Sequence, residues 1–168
     1  MLSWGDFRRA RPDLADAGRG LLYQFGVGLA FLATVRRDGG PRVHPVCPLI
    51  VEDRLLGFLV PSPKAADLRR DGRYALHAFP PATDEDAFYV TGVACPTNDA
   101  ALRRLAAAAF LAERGWAEPP PGFDEQTLYE FRIDACLLTR TTGHGDPAPR
   151  HTTWKALPGQ VGRRPPAM

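Results

Sequence analysis

Ser62, Pro63 and Lys64 stand together at the start of a short helical pattern, and their types and order suit the binding of an anion. Serine is a favoured helix N-cap, and proline is pre-organised for the first helical position. The first turn of any helix leaves amide groups pointing outward with partial positive charge, so a phosphate is the natural guest at such an end. Lys64 adds a full charge there, and Arg69, Arg70 or Arg73 would extend it. Arginine is also favoured at a helix C-terminus for its own sake. The same tripeptide equally fits a plain capped surface helix with an incidental lysine.

A second constellation is Arg42-Val43-His44-Pro45-Val46. In a strand Arg42, His44 and Val46 share one face and Val43 and Pro45 the other, so the segment suits either a pocket wall or an exposed strand end after a turn. The other candidates carry less. His77 alternates with Leu76 and Ala78 as a half-buried strand histidine would, and the spacing of His144 and His151 fits no common zinc pattern. Trp154 suits a cover over a barrel or dimer seam, or a ring beside a cofactor. There is no G-x-S-x-G elbow, and Gly26-Val27-Gly28 lacks the third glycine and the helix of a dinucleotide fingerprint.

The elements that must position these residues follow from periodicity and breakers. Pro12 to Phe25 reads as an amphipathic helix stopped by Gly26 and Gly28, and Leu29–Val35 as a buried strand turning at Asp38-Gly39-Gly40. Val43–Val51 reads as the returning strand, with Pro45 and Pro48 requiring an edge, a bulge or a ligand-facing side. Glu52-Asp53 turns it into Arg54–Val60, which completes a three-stranded meander. After the Ser62 helix, which ends at Gly72, come strands Tyr74–Phe79 and Ala87–Cys95, a helix capped by Asn98 or Asp99 and closed by Gly115, the rigid Pro119-Pro120-Pro121-Gly122 loop, a long strand Leu128–Thr139 and a short one at Thr152–Ala156. Six to seven antiparallel strands with inserted helices predict a mainly β fold, a barrel with helical decoration.

Composition bounds the rest. The 168 residues, 45% of them hydrophobic, predict one domain over 1–157 and a Gly/Pro/Arg-rich flexible tail over 158–168. A formal charge of +2 argues against nucleic acid or an anionic membrane as partner. Cys47, Cys95 and Cys136 have no C-x-x-C spacing and are expected as buried free thiols rather than zinc ligands or disulfides. With no signal pattern before Arg11 and no run of about 20 apolar residues, a cytoplasmic protein is expected and no metal is assigned.

Taken in order, Phe31-Leu32-Ala33-Thr34-Val35, then Asp38 through Val46, then Ser62-Pro63-Lys64-Ala65-Ala66-Asp67-Leu68-Arg69-Arg70-Asp71, then Tyr74-Ala75-Leu76-His77 resemble the pyridoxamine 5′-phosphate oxidase-like superfamily. The resemblance spans about Gly28 to Gly92. It implies a split β-barrel that binds flavin mononucleotide (FMN) at the two-fold interface of a homodimer and acts as an oxidoreductase on a small molecule. Arg42 and Lys64 match positions that hold the flavin phosphate, with Ser62 beside them. Val43, His44, Pro45, Val46 and Cys47, with Leu59 and Val60, match the segments along the ring and ribityl chain. True vitamin B6 oxidases carry a lysine where this chain has Cys47 and a glutamine where it has Ala87 or Phe88. Their arginine-rich carboxyl-terminal substrate segment has no counterpart either. The likeness is therefore to the shorter, diverse relatives that use FMN or the deazaflavin coenzyme F-420, bind haem, or lack activity. A non-enzymatic flavin-, deazaflavin- or haem-binding protein is the alternative, with His44 or His77 as the first candidates for a haem ligand.

Overall fold

The computed structural model describes Met1–Leu157, so the expected tail over 158–168 lies outside the described residues. Eight strands form one antiparallel sheet: β1 (Ala30–Val35), β2 (Pro41–Val46), β3 (Pro48–Val51), β4 (Arg54–Leu59), β5 (Arg73–Ala78), β6 (Ala87–Pro96), β7 (Thr127–Arg140) and β8 (Arg150–Lys155). The helices are α1 (Trp4–Ala10), α2 (Pro12–Leu22), α3 (Pro63–Arg70) and α4 (Ala100–Arg114), with a 3-10 turn at Phe123–Glu125.

The expected three-stranded meander does not form. Val43–Val51 is two strands broken at Cys47: β2 pairs with β1, and β3 pairs with β4. The sheet order is β2-β1-β5-β6-β7-β4-β3, with β8 on β7, so the halves of that segment are the two ends of the order. A single residue links those ends, and this forces the sheet to curl until its edges adjoin, which makes the split barrel. Proline explains the break. Pro45 has no N–H to donate and tolerates only an edge strand, while Pro48 occupies the first position of β3.

Two positive-φ residues, Glu52 and Asp53, make the tight β3–β4 turn, the backbone sign that a two-residue hairpin requires. Across the centre, Leu32, Leu76, Val90 and Cys136 lie in register on one face, and all are buried. Helices α1 and α2 pack on this face with Trp4, Phe7, Leu14 and Leu22. Helix α1 has a sequence signature that lies outside apolar periodicity. Ser3 and Asp6 form a reciprocal capping box, with Ser3 Oγ accepting from the Asp6 amide at 3.2 Å.

Helix α4 covers the opposite face at the β3–β4 end, where Leu102 and Ala106 join Leu49, Leu56, Phe58, Phe123 and Leu128 in a second core. Asp99, rather than Asn98, caps α4, and Gly115 closes it in the left-handed conformation at φ 64°. Farther along the same face, Phe31 and Val43 are exposed and Ala33, Ala75, His77, Tyr89, Thr91 and Leu137 half-buried. None of the described helices is long and apolar enough to cross a membrane.

Candidate functional site

Helix α3 is the element on which the candidate residues converge. Lys64 and Asp67 are three residues apart and share a helix face. The Asp67 side chain is only 6% exposed and collects three donors: Arg42 Nε at 2.7 Å, Thr34 Oγ1 at 3.1 Å and Arg70 Nη1 at 3.2 Å. Arg42 thus reaches from the edge strand β2 to Asp67, one turn after Lys64 on α3. Burial pushes the Asp67 carboxyl up, but the hydrogen bonds from Arg42, Arg70 and Thr34 outweigh it and hold the group below its ordinary value. Arg70 also donates to the Val35 carbonyl, which ties α3 to the end of β1.

Asp67 was not legible as a site residue. In sequence it is one polar position among several in a short helix, and only the β2–α3 packing shows that it orients Arg42. With Nε committed, the two Nη groups of Arg42 make no hydrogen bond among the described residues.

Ser62 occupies the N-cap position of α3, but its side chain does not cap the helix; its Oγ donates instead to the Val60 carbonyl at 2.8 Å. Consequently the amides of Lys64 and Ala65 have no hydrogen-bond partner among the described residues. Lys64 is half-buried and forms no ion pair among them either. The first-turn amides and the Lys64 ammonium are donors of the kind a phosphate accepts from, and the Arg42 guanidinium is held at Asp67, one turn further along α3.

The remaining expected residues divide. His44 is exposed and lies opposite Leu32, Val43 is 58% exposed on the other face, and Pro45 is exposed opposite Phe31. Val46 packs half-buried on the main core. Leu59 is 2% exposed within that core, whereas Val60, one residue later, is 46% exposed, so of this pair Val60 presents its side chain outward. Trp154 lies opposite Cys136 on β8, its ring 5.1 Å from that of Phe7, with β1, β5, β6 and β7 between it and β2. Within one chain it does not join Arg42 and Lys64.

The expectation of three buried thiols holds for Cys136 alone. Burial pushes the Cys136 thiol up to about 11, Cys47 is half-buried at the β2–β3 break, and Cys95 is exposed near the end of β6. No group of acidic, histidine or cysteine residues suited to a metal occurs among the described residues.

No family model matches the chain, and no curated protein is similar to it. Solved structures are. A heme-binding protein from Mycobacterium smegmatis superposes with a TM-score of 0.59 at 18% identity, covering 83% of this chain, which spans only 57% of that protein. A candidate pyridoxamine 5′-phosphate oxidase from Listeria innocua matches at 0.59 and 14% identity over 73% of this chain and 95% of its own. An F420 reductase matches at 0.52 and 19% identity over 64% and 87%. At these identities the likeness shows the fold alone, a mainly β split barrel.

Proposed function

We propose that this split barrel is a cytoplasmic, flavin-dependent oxidoreductase that binds FMN through the N-terminus of α3 and acts on a small molecule. The observation that carries the reading is the uncapped first turn of α3, where the Lys64 and Ala65 amides and the Lys64 ammonium lack partners among the described residues and Arg42 is held by Asp67 one turn further along the same helix. These residues fit a phosphate monoester: two amides, one ammonium and a guanidinium edge match its acceptor oxygens. When bound, the cofactor supplies the hydride chemistry. The chain's share is anchorage and orientation. Lys64 and Arg42 hold the anionic end, Ser62 stands beside them, and the exposed positions His44, Pro45, Val43 and Val60 flank the path of the ring.

A homodimer belongs to the same proposal. Val43, 58% exposed on the edge strand β2, is an apolar position suited to a seam with a second copy across a two-fold axis.

Replacing Lys64 with alanine is expected to weaken FMN binding by about 1 to 3 kcal/mol, the worth of a charge-assisted hydrogen bond. Titration followed by quenching of flavin fluorescence reads this directly, and unchanged affinity would remove Lys64 from the site. A deazaflavin is the second reading, favoured by one observation. Beside Arg42 an open surface depression of about 390 Å³ is lined by Arg36, Arg37, Asp38 and Asp67, and its arginines would attract a longer anionic tail. Competition between FMN and coenzyme F-420 for the purified protein separates the two.

A further inference from the structure

Four rings lie in two parallel pairs on the bare sheet face, and the cofactor site uses none of them. Phe31 stands opposite His77, and His77 opposite Tyr89, so the three form a row across β1, β5 and β6 that Pro45 continues onto β2. The rings of His77 and Tyr89 are 18° from parallel at 6.3 Å, and Phe79 stacks on Phe31 at 4.3 Å and 20°. Phe31 is nevertheless 37% exposed. The next row of the same face is Val43, Ala33, Ala75 and Thr91, small side chains that leave a shelf beside the aromatic row.

His77 is fixed within this row. Its Nδ1 lies 2.5 Å from the Ala78 carbonyl, and because a carbonyl only accepts, Nδ1 must donate. In the neutral ring Nε2 is then the acceptor, and it has no partner among the described residues. With strands about 4.8 Å apart, His77 stands roughly 10 Å from β2, so a molecule laid across β1 bridges the two.

We infer that this row is a substrate platform: a flat, uncharged aromatic ring carrying an O–H or N–H group stacks on the exposed Phe31 ring and donates to His77 Nε2. The inference rests on the proposed flavin site beside β2, which supplies the reason for a ring to lie there. Phe31 provides the stacking surface, the Ala33–Ala75 shelf accommodates the ring's edge, and His77 selects for a donor.

The test uses 2-naphthol as probe and 2-methoxynaphthalene as the analogue without a donor, both followed by their own fluorescence on FMN-saturated protein. The wild type is expected to bind 2-naphthol at least about tenfold more tightly, the scale of one hydrogen bond. His77→Phe keeps a ring in the stack and is expected to erase that preference, His77→Gln to retain part of it, and Phe31→Ala to weaken both ligands. A preference that persists in His77→Phe overturns the inference, as does failure of 2-naphthol to bind. Sedimentation of His77→Phe is expected to match the wild type; dissociation of the variant would make the row a packing surface and likewise overturn the platform. Flavin absorbance in the same samples reports separately on the cofactor site, and the naphthols are also titrated into protein without FMN, so failure of either reading is visible on its own.

Discussion

At the scale of single residues, Asp67 decides how the site is built. Its carboxylate fixes Arg42 and Arg70 at once while almost fully buried. Replacing it with asparagine removes the charge from a buried pair and is expected to cost about 1 to 3 kcal/mol in urea denaturation and to loosen Arg42. The pH dependence has a definite sign. A carboxyl held below its ordinary value contributes stability that is complete above that value and is lost as pH falls through the lowered one, so Asp67→Asn should flatten the acid limb of the stability profile. An acid limb identical to the wild type's would show that Asp67 is not the group titrating there. Lys64 was legible because Ser-Pro-Lys before a helix has a physical meaning. The failure of Ser62 to cap was not, since its Oγ turns back to the Val60 carbonyl two residues earlier, a bond the same hydroxyl can make as readily. Arg42 was legible as a charged strand residue, but its partner lies 25 positions away and no local pattern announces it.

At the scale of elements, close packing between helix and sheet sets what the sequence tolerates. A Cβ on Gly18 would come within 2.3 Å of the Phe88 ring, so α2 lies on β6 with no room for a side chain. Gly18→Ala is expected to destabilise by about 1 to 3 kcal/mol through overpacking, measured as a lower denaturation midpoint at unchanged slope. Gly92 answers a different demand. It sits at φ 158° where the β6–β7 register shifts, and its missing Cβ leaves room for the Arg132 carbonyl. Most elements were legible, because turn residues, caps and apolar runs mark them within a few positions of where they lie. The continuous Val43–Val51 strand misled, as its alternation carries through Cys47 while its hydrogen bonds change partner there. Proline spacing held the clue: Pro45 and Pro48 cannot both sit inside one paired strand.

At the scale of the whole molecule, the sheet is covered by helices on its core face and by α4 at one end of the other, and the rest of that second face is where assembly and substrate binding are proposed. The strand order was beyond local pattern because it depends on which edges meet when the barrel closes. If two copies associate through the Val43 edge of β2, Val43→Glu should convert the dimer to monomer in equilibrium sedimentation, since a charge on an apolar seam is left unpaired; a monomeric wild type would contradict the dimer outright. The visible spectrum of the purified protein, taken after saturation with FMN and removal of unbound ligand, reads the cofactor site without an intermediary. A retained band near ~450 nm from the oxidised flavin chromophore is expected. A protein that emerges colourless from that treatment would contradict a flavin site at the N-terminus of α3.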